Sequence, residues 1–298
     1  MSAAPRARAR TVRALLDYGV REFESAGISY GHGTANALDE AAWIVLRALG
    51  LPPHDVDPYL DWPLDAARYG AAKALLDRRV AARTPAAYLL QEAWLGPYRF
   101  YVDERVIVPR SFIAELLLED RGQTPFAGLQ PPRRVLDLCT GSGCLAILAA
   151  LRFPEAKVDA ADISEEALAV ARRNVADYGL AGRVRLVKSD LFAGLARRAY
   201  DLVVSNPPYV KASSMARLPP EYRREPRLAL ASGADGLEHT RAILRGARAH
   251  LRPGGLLVVE IGRNRKALEK AFPGVGFSWP RTSAGRGFVF AIPRERLP

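Results

Sequence analysis

The chain has 298 residues, 49% of them hydrophobic and 25% charged, an ordinary globular composition with room for one large domain and a smaller one. Its net charge of +11 is uneven, about +1 over residues 1–110 and +10 over residues 111–298, which suits either a nucleic-acid-rich partner or solvated surface arginines. No apolar run reaches the roughly 18 residues of a membrane span, and the basic stretch from Met1 to Arg10 is not followed by the uncharged apolar segment of a secretory signal, so neither is expected.

The first elements read as helical. Val12, Leu15, Leu16, Val20 and Phe23 fall close to one face of a helix from Val12 to Ala26. Leu38, Ala42, Val45, Leu46 and Leu49 repeat the pattern from Ala35 to Leu49, and Gly50 stops it. Leu51 to Pro63 contains four prolines and reads as a loop, and Ala66 to Ala82 as a third helix before a turn at Thr84-Pro85. Residues 94–108 change character. Trp94-Leu95, Phe100-Tyr101-Val102 and Val106-Ile107-Val108 predict a β-hairpin with turns at Gly96-Pro97 and Asp103-Glu104. Ser111 is the expected N-cap of a helix running through Asp120.

From Arg133 onward strands and helices alternate. Strands are expected at Val135–Leu138, Lys157–Ala161, Val184–Val187, Tyr200–Ser205, Leu256–Ile261, Phe277–Trp279 and Gly287–Ile292. Helices are expected at Cys144–Phe153, at Glu165–Tyr178 with Ser164 as cap and Gly179 as stop, and at Leu237–Leu251 before Pro253-Gly254-Gly255. Such alternation implies a mainly parallel sheet covered on both faces.

Two motifs carry chemistry. Asp137-Leu138-Cys139-Thr140-Gly141-Ser142-Gly143 is a glycine-rich turn between a strand and a helix, where backbone can approach a ligand closely. Asp162 ends the next strand, placed to accept from the ribose hydroxyls of a nucleoside cofactor. Gly141-x-Gly143-x-x-Ala146 also satisfies the dinucleotide fingerprint, and glycines can serve a tight turn alone. Asp190, at the end of the third strand, either accepts from an adenine amino group with Leu191 packed on the ring, or is an ordinary strand-end acid.

The second motif, Asn206-Pro207-Pro208-Tyr209, follows directly on the fourth strand. A planar amide or exocyclic amine is a poor nucleophile because its lone pair is delocalised. An Asn side-chain oxygen and a fixed Pro carbonyl can each accept one N–H, holding the NH₂ group and favouring a pyramidal nitrogen. The two prolines stiffen the loop, and Tyr209 offers a ring to stack on a planar group. A nicotinamide enzyme has no use for this tetrapeptide, and a protein that only binds needs no such geometry. Cys139 and Cys144 do not form Cys-x-x-Cys, and His32, His54, His239 and His250 are scattered. No metal site and no disulfide framework are expected, and a reducing cytoplasm is.

With Asp162, the two motifs resemble those of class I, Rossmann-like methyltransferases of the Asn-Pro-Pro-Tyr group, which includes adenine-N6 DNA methyltransferases and protein glutamine methyltransferases. Val108-Pro109-Arg110 and Arg224-Glu225-Pro226-x-x-Ala229-Leu230-x-Ser232-Gly233-x-Asp235-Gly236-Leu237 are similar to the protein N(5)-glutamine methyltransferases, over nearly the whole chain beyond residue 10. Within that family one branch acts on release factors and another on large-subunit ribosomal protein L-three. Ser111-Phe112-Ile113 after Pro-Arg, residues 100–106, Cys139 and Leu218-Pro219-Pro220-Glu221-Tyr222-Arg223 resemble the ribosomal-protein branch.

The resemblance implies a seven-stranded, mainly parallel sheet with S-adenosyl-L-methionine as methyl donor. It implies a helical substrate-recognition domain at 1–92, a hairpin linker at 93–110 and a catalytic domain at 111–298. Asp137, Cys139, Thr140, Gly141, Ser142, Gly143, Asp162, Asp190, Leu191 and Asn206 would line the cofactor. Asn206, Pro207, Pro208 and Tyr209 would hold the glutamine amide, with Asn206, Pro207 and Tyr209 as the catalytic set. Some members carry Trp where Leu191 stands, so stacking there is reduced. The implied partner is the ribosomal protein, free or in an assembly intermediate; the clustering of Arg217, Arg223, Arg224 and Arg227 after Tyr209 points to contact with an RNA-containing substrate, and no membrane or metal partner is expected. The alternatives are a release factor or an adenine in nucleic acid as substrate, although no nucleic-acid-binding module is recognisable.

Overall fold

A computed structural model describes residues 10–53, 55–119, 124–195 and 198–298. His54, Asp120 and most of the basic N-terminal stretch lie outside the described residues. The chain divides into two units, one of Met1–Gln91 with Pro219–Arg224, the other of Glu92–Leu218 with Glu225–Pro298.

The first unit is helical: α1 (Val12–Ser25), α2 (Ala37–Ala48), α3 (Ala66–Ala82) and α4 (Ala86–Leu90). Thr11, Asn36 and Asp65 each accept a backbone N–H of the first turn, at Ala14, Asp39 and Arg68. The apolar face of α1 is buried at Val12, Leu15, Leu16 and Phe23. Gly19 lies in the same face because a Cβ there would meet Ala41 at 3.0 Å and Leu76 at 3.1 Å. The unit also buries charge. Arg79 is fully buried, with Nε 2.6 Å from Glu40 Oε1 and Nη1 3.5 Å from Glu221 Oε1. Arg83 Nη1 stands 2.9 Å from the same Glu221 oxygen. Segment 219–224 thus enters this unit through Glu221, since buried cations of this kind require a paired anion.

The second unit opens with a hairpin, β1 (Ala93–Leu95) and β2 (Tyr98–Phe100), turning at Gly96-Pro97 as expected. Val106–Val108 is not a strand: the Val108 N–H donates to Glu225 Oε1 at 2.9 Å instead of joining a ladder. Then come α5 (Phe112–Leu118), β3 (Arg134–Leu138), α6 (Cys144–Arg152), β4 (Lys157–Asp162), α7 (Glu165–Asp177), β5 (Val184–Lys188), β6 (Tyr200–Ser205) and α8 (Ala212–Met215). The unit finishes with α9 (Glu238–His250), β7 (Leu251–Glu260), α10 (Arg265–Ala271), the short pair β8 (Arg281–Thr282) and β9 (Gly285–Arg286), and β10 (Val289–Pro293). Ser111 and Ser164 cap α5 and α7 as expected. Pro253-Gly254-Gly255 lies within β7, where the register against β6 shifts, rather than before it.

The sheet order is β10-β7-β6-β3-β4-β5, all parallel except β10 against β7. A seventh position is held by one antiparallel bridge, Ser278 to Ala291, where residues 277–279 were expected to form a strand. Strands β3, β4 and β6 are buried almost throughout because helices cover both faces. Beside β3 the chain reverses its direction of travel across the sheet, from β4 on one side to β6 on the other. That switch point opens a crevice at the carboxyl ends of the strands.

Candidate active site

The turn after β3 contains three left-handed residues, Cys139 (φ 58°), Gly141 (φ 53°) and Gly143 (φ 81°). Gly143 is confined as well, since a Cβ would stand 3.1 Å from Ala171 Cβ, where α6 starts against α7. Asp137 staples the turn to α6: its Oδ2 accepts from Thr140 Oγ1 at 2.5 Å and from Ala146 N at 3.0 Å. Its Oδ1 is buried with no hydrogen-bond partner among the described residues. Burial pushes the Asp137 carboxyl up to about 7. The Ser142 carbonyl accepts from Asn174 Nδ2 at 2.9 Å. The Cys139 thiol is pushed well above its ordinary range by burial and by nearby Asp162.

A cavity of about 380 Å³ opens beside this turn, lined by Cys139, Gly141, Asp162, Asp190, Leu191, Asn206 and Pro208 among others. Asp162 ends β4, with Oδ2 accepting from Gly141 N at 2.9 Å and Oδ1 from Ser164 N at 3.0 Å. Burial holds its carboxyl above the usual carboxylate range. Asp190 is exposed, and Leu191 takes a left-handed backbone (φ 46°) closed by Ser189 Oγ donating to the Leu191 carbonyl at 2.6 Å.

Asn206 Nδ2 donates to the Arg110 carbonyl at 3.3 Å. Pro207 and Pro208 are buried. The Tyr209 hydroxyl reaches Glu260 Oε1 at 3.4 Å, while Glu260 Oε2 accepts from Ser111 Oγ at 2.7 Å and Phe112 N at 2.9 Å. Burial raises the Glu260 carboxyl to about 7, and burial with that neighbouring acid raises the Tyr209 phenol. The Tyr209 carbonyl accepts from Asn264 Nδ2 at 2.8 Å, and Gly262 must lack a side chain because a Cβ would lie 2.8 Å from the Tyr209 ring.

Of the residues expected from sequence, seven therefore share one cavity. Asp137, Thr140, Ser142, Gly143, Pro207 and Tyr209 adjoin these residues in sequence without lining it. Sequence reasoning missed two further walls: Glu104–Ile107 and Pro226–Ala229. The stretch 224–237 is singled out by resemblance only, and in the fold Leu228 there is an exposed large hydrophobic. The acceptor set suits S-adenosylmethionine. Asp162 and Asp190 offer carboxylates for hydroxyls and an amine, and Leu191 and Ile163 offer apolar cover; the Asp137 carboxyl, outside the lining and raised to about 7, can ionise in response to a cationic ligand.

A parallel sheet with an antiparallel last strand is the arrangement of class I, Rossmann-like methyltransferases, and residues 115–218 match the family model described as "Methyltransferase small domain". The chain is a methyltransferase of that class, and its methyl donor is S-adenosylmethionine. It is 52% identical over 288 residues to a ribosomal protein uL3 glutamine methyltransferase of Neisseria meningitidis serogroup B, covering 96% of this chain and 94% of that one. Relatives of the same description in Burkholderia pseudomallei (50% identical, 97% and 96% covered) and Xanthomonas campestris pv. campestris (46%, 100% and 96%) agree. The chain belongs to the ribosomal protein uL3 glutamine methyltransferase family. No helix among the described residues is long and apolar enough to cross a membrane.

Proposed function

We propose that this chain methylates the side-chain amide nitrogen of a glutamine in large-subunit ribosomal protein L-three. The observation that carries the reading is that Asn206 and Pro208 line the same cavity as Gly141 and Asp162. One space can then receive a nucleoside methyl donor at one end and an NH₂ group at the other. S-adenosylmethionine supplies, when bound, an electrophilic methyl group.

Asn206 accepts one N–H of the substrate amide through Oδ1, and the Pro207 carbonyl accepts the other, which holds the nitrogen and weakens its conjugation. Tyr209, fixed at its hydroxyl by Glu260 and at its carbonyl by Asn264, braces the loop and stacks on the amide plane. Asp162 and Asp190 receive the hydroxyls and amino group of the nucleoside, with Leu191 against the ring. Asp137, Thr140, Ser142 and Gly143 shape the turn from behind. The proton lost from nitrogen leaves after transfer, so no base need act during attack. Unit one recognises the protein substrate, 93–110 lead the chain into the catalytic unit, and Arg217, Arg223, Arg224 and Arg227 contact ribosomal RNA. The two thiols of Cys139 and Cys144 are free, which suits a reducing cytoplasm.

The test is transfer of labelled methyl to ribosomal protein L-three, a release factor and adenine-containing DNA side by side, with the product located by mass spectrometry. Label on a glutamine of the ribosomal protein is expected. Label only on the release factor reverses the substrate, and label on DNA reverses the family of acceptor.

A further inference from the structure

The Asn206 amide is anchored from outside the loop that carries it. The Arg110 carbonyl, 3.3 Å from Nδ2, can only accept a hydrogen bond, so the amide nitrogen must face Arg110 and Oδ1 must point away from it. The position of one carbonyl therefore decides which end of the amide is offered to a substrate N–H.

The side chain of the same residue is gripped by an acid 115 residues further along the chain. Glu225 Oε1 and Oε2 each lie 2.6 Å from an Arg110 guanidinium nitrogen, Nη1 and Nη2 respectively. This is the parallel fork that fixes direction as well as distance. Oε1 also accepts from the Val108 N–H at 2.9 Å, and Arg110 Nη1 donates to the Val108 carbonyl at 3.1 Å. Pro109 between them is buried and has its φ fixed by its ring. The Glu225 side chain is fully buried, whereas that of Arg110 is 27% exposed. Glu225 immediately precedes the Pro226–Ala229 wall of the cavity, and Val108 immediately follows the Glu104–Ile107 wall. One carboxylate thus ties both walls to the anchor of Asn206.

We propose that Glu225, acting through Arg110, is a positioning residue that sets the orientation of the Asn206 amide for methyl transfer. The proposal rests on the glutamine-methylation reading above.

The test is Glu225→Gln in the full chain. Gln keeps one acceptor but turns an NH₂ toward an Arg110 nitrogen, so donor faces donor and the fork opens. Turnover at saturation should fall about tenfold or more, while S-adenosylmethionine affinity by calorimetry and the far-UV spectrum stay at wild type. Glu225→Asp should lose less. Arg110→Lys, which keeps the charge but not the fork, should repeat the loss in kcat at unchanged donor affinity. The decisive readout is single-turnover transfer in the Asn206→Ala background. There Glu225→Gln should cost little further, because the proposed effect on transfer runs through Asn206. Wild-type kcat in both Glu225→Gln and Arg110→Lys overturns the proposal. So does a loss that multiplies in full on Asn206→Ala, or one matched by equal loss of donor binding. Wild-type turnover by Asn206→Ala alone would instead overturn the reading on which it rests.

Discussion

Replacing Asp137 by Asn should make the apo protein more stable above neutral pH and a worse binder of its methyl donor. Asp137 is fully buried, two hydrogen bonds reach its Oδ2, and among the described residues none reaches Oδ1. Asn keeps the acceptor for Thr140 and Ala146 and removes the charge. The folded carboxyl titrates at about 7 against an ordinary 3.8. The folded state therefore holds a proton that the unfolded chain has released, and the stability this contributes is full below the ordinary value and lost as pH rises through 7. At 1.36 kcal/mol per pH unit the loss approaches about 4 kcal/mol at full ionisation, of which roughly 2–3 kcal/mol develops between about pH 5 and pH 8. Asn does not titrate, so the stability difference between variant and wild type should move in favour of the variant by that amount over the interval. Any constant packing offset cancels, as does Glu260, which titrates in the same sense in both proteins. Urea unfolding of apo protein at the two pH values measures it. Calorimetry should show weaker binding of S-adenosylmethionine to the variant, because Asn cannot ionise in response to a cationic ligand as the carboxyl can. A stability difference independent of pH would refute the argument, since it would mean Asp137 is ionised or protonated alike in both states.

Three further outcomes are expected. Asn206→Ala should lower turnover by roughly 3 kcal/mol or more in activation free energy while donor affinity survives; a variant with poor donor binding but normal saturated turnover would contradict the role given to that amide. Asp162→Ala should weaken donor binding by about 1–3 kcal/mol, because a charged acceptor is removed and Gly141 and Ser164 lose a common partner; unchanged affinity by titration would falsify the ribose role. Neutralising Arg217, Arg223, Arg224 and Arg227 together should flatten the salt dependence of binding to an RNA-containing ribosomal particle, and an unchanged slope would mark these arginines as solvated surface.

The parts of the molecule legible in the sequence are those where neighbours in the chain decide the outcome. Strands β3 and β6 announce themselves as mostly apolar runs, and Ser111 and Ser164 as caps, because burial on both faces and a first-turn N–H act locally. Helix α10 was missed since Leu268 is its only buried residue and leaves no apolar period, and α4 because five residues make no pattern. Residues 106–108 read as a strand from their β-branched side chains, yet the Val108 N–H is taken by Glu225, 117 residues away.

The same distance explains the stretches that only resemblance could single out. Val108-Pro109-Arg110 and Arg224-Glu225-Pro226 contribute the two halves of one forked ion pair, and Leu218–Arg223 supplies the acid that sits between Arg79 and Arg83. A buried charge is tolerated only with its partner in place. Each of these residues therefore has a strict requirement that no property of its own segment displays. Chemistry-bearing residue types can be read one at a time, whereas the geometry that aims them depends on pairings that only the folded chain brings together. In this protein the Asn206 amide is the group the sequence points to, and Arg110 with Glu225 is what the fold adds to point it.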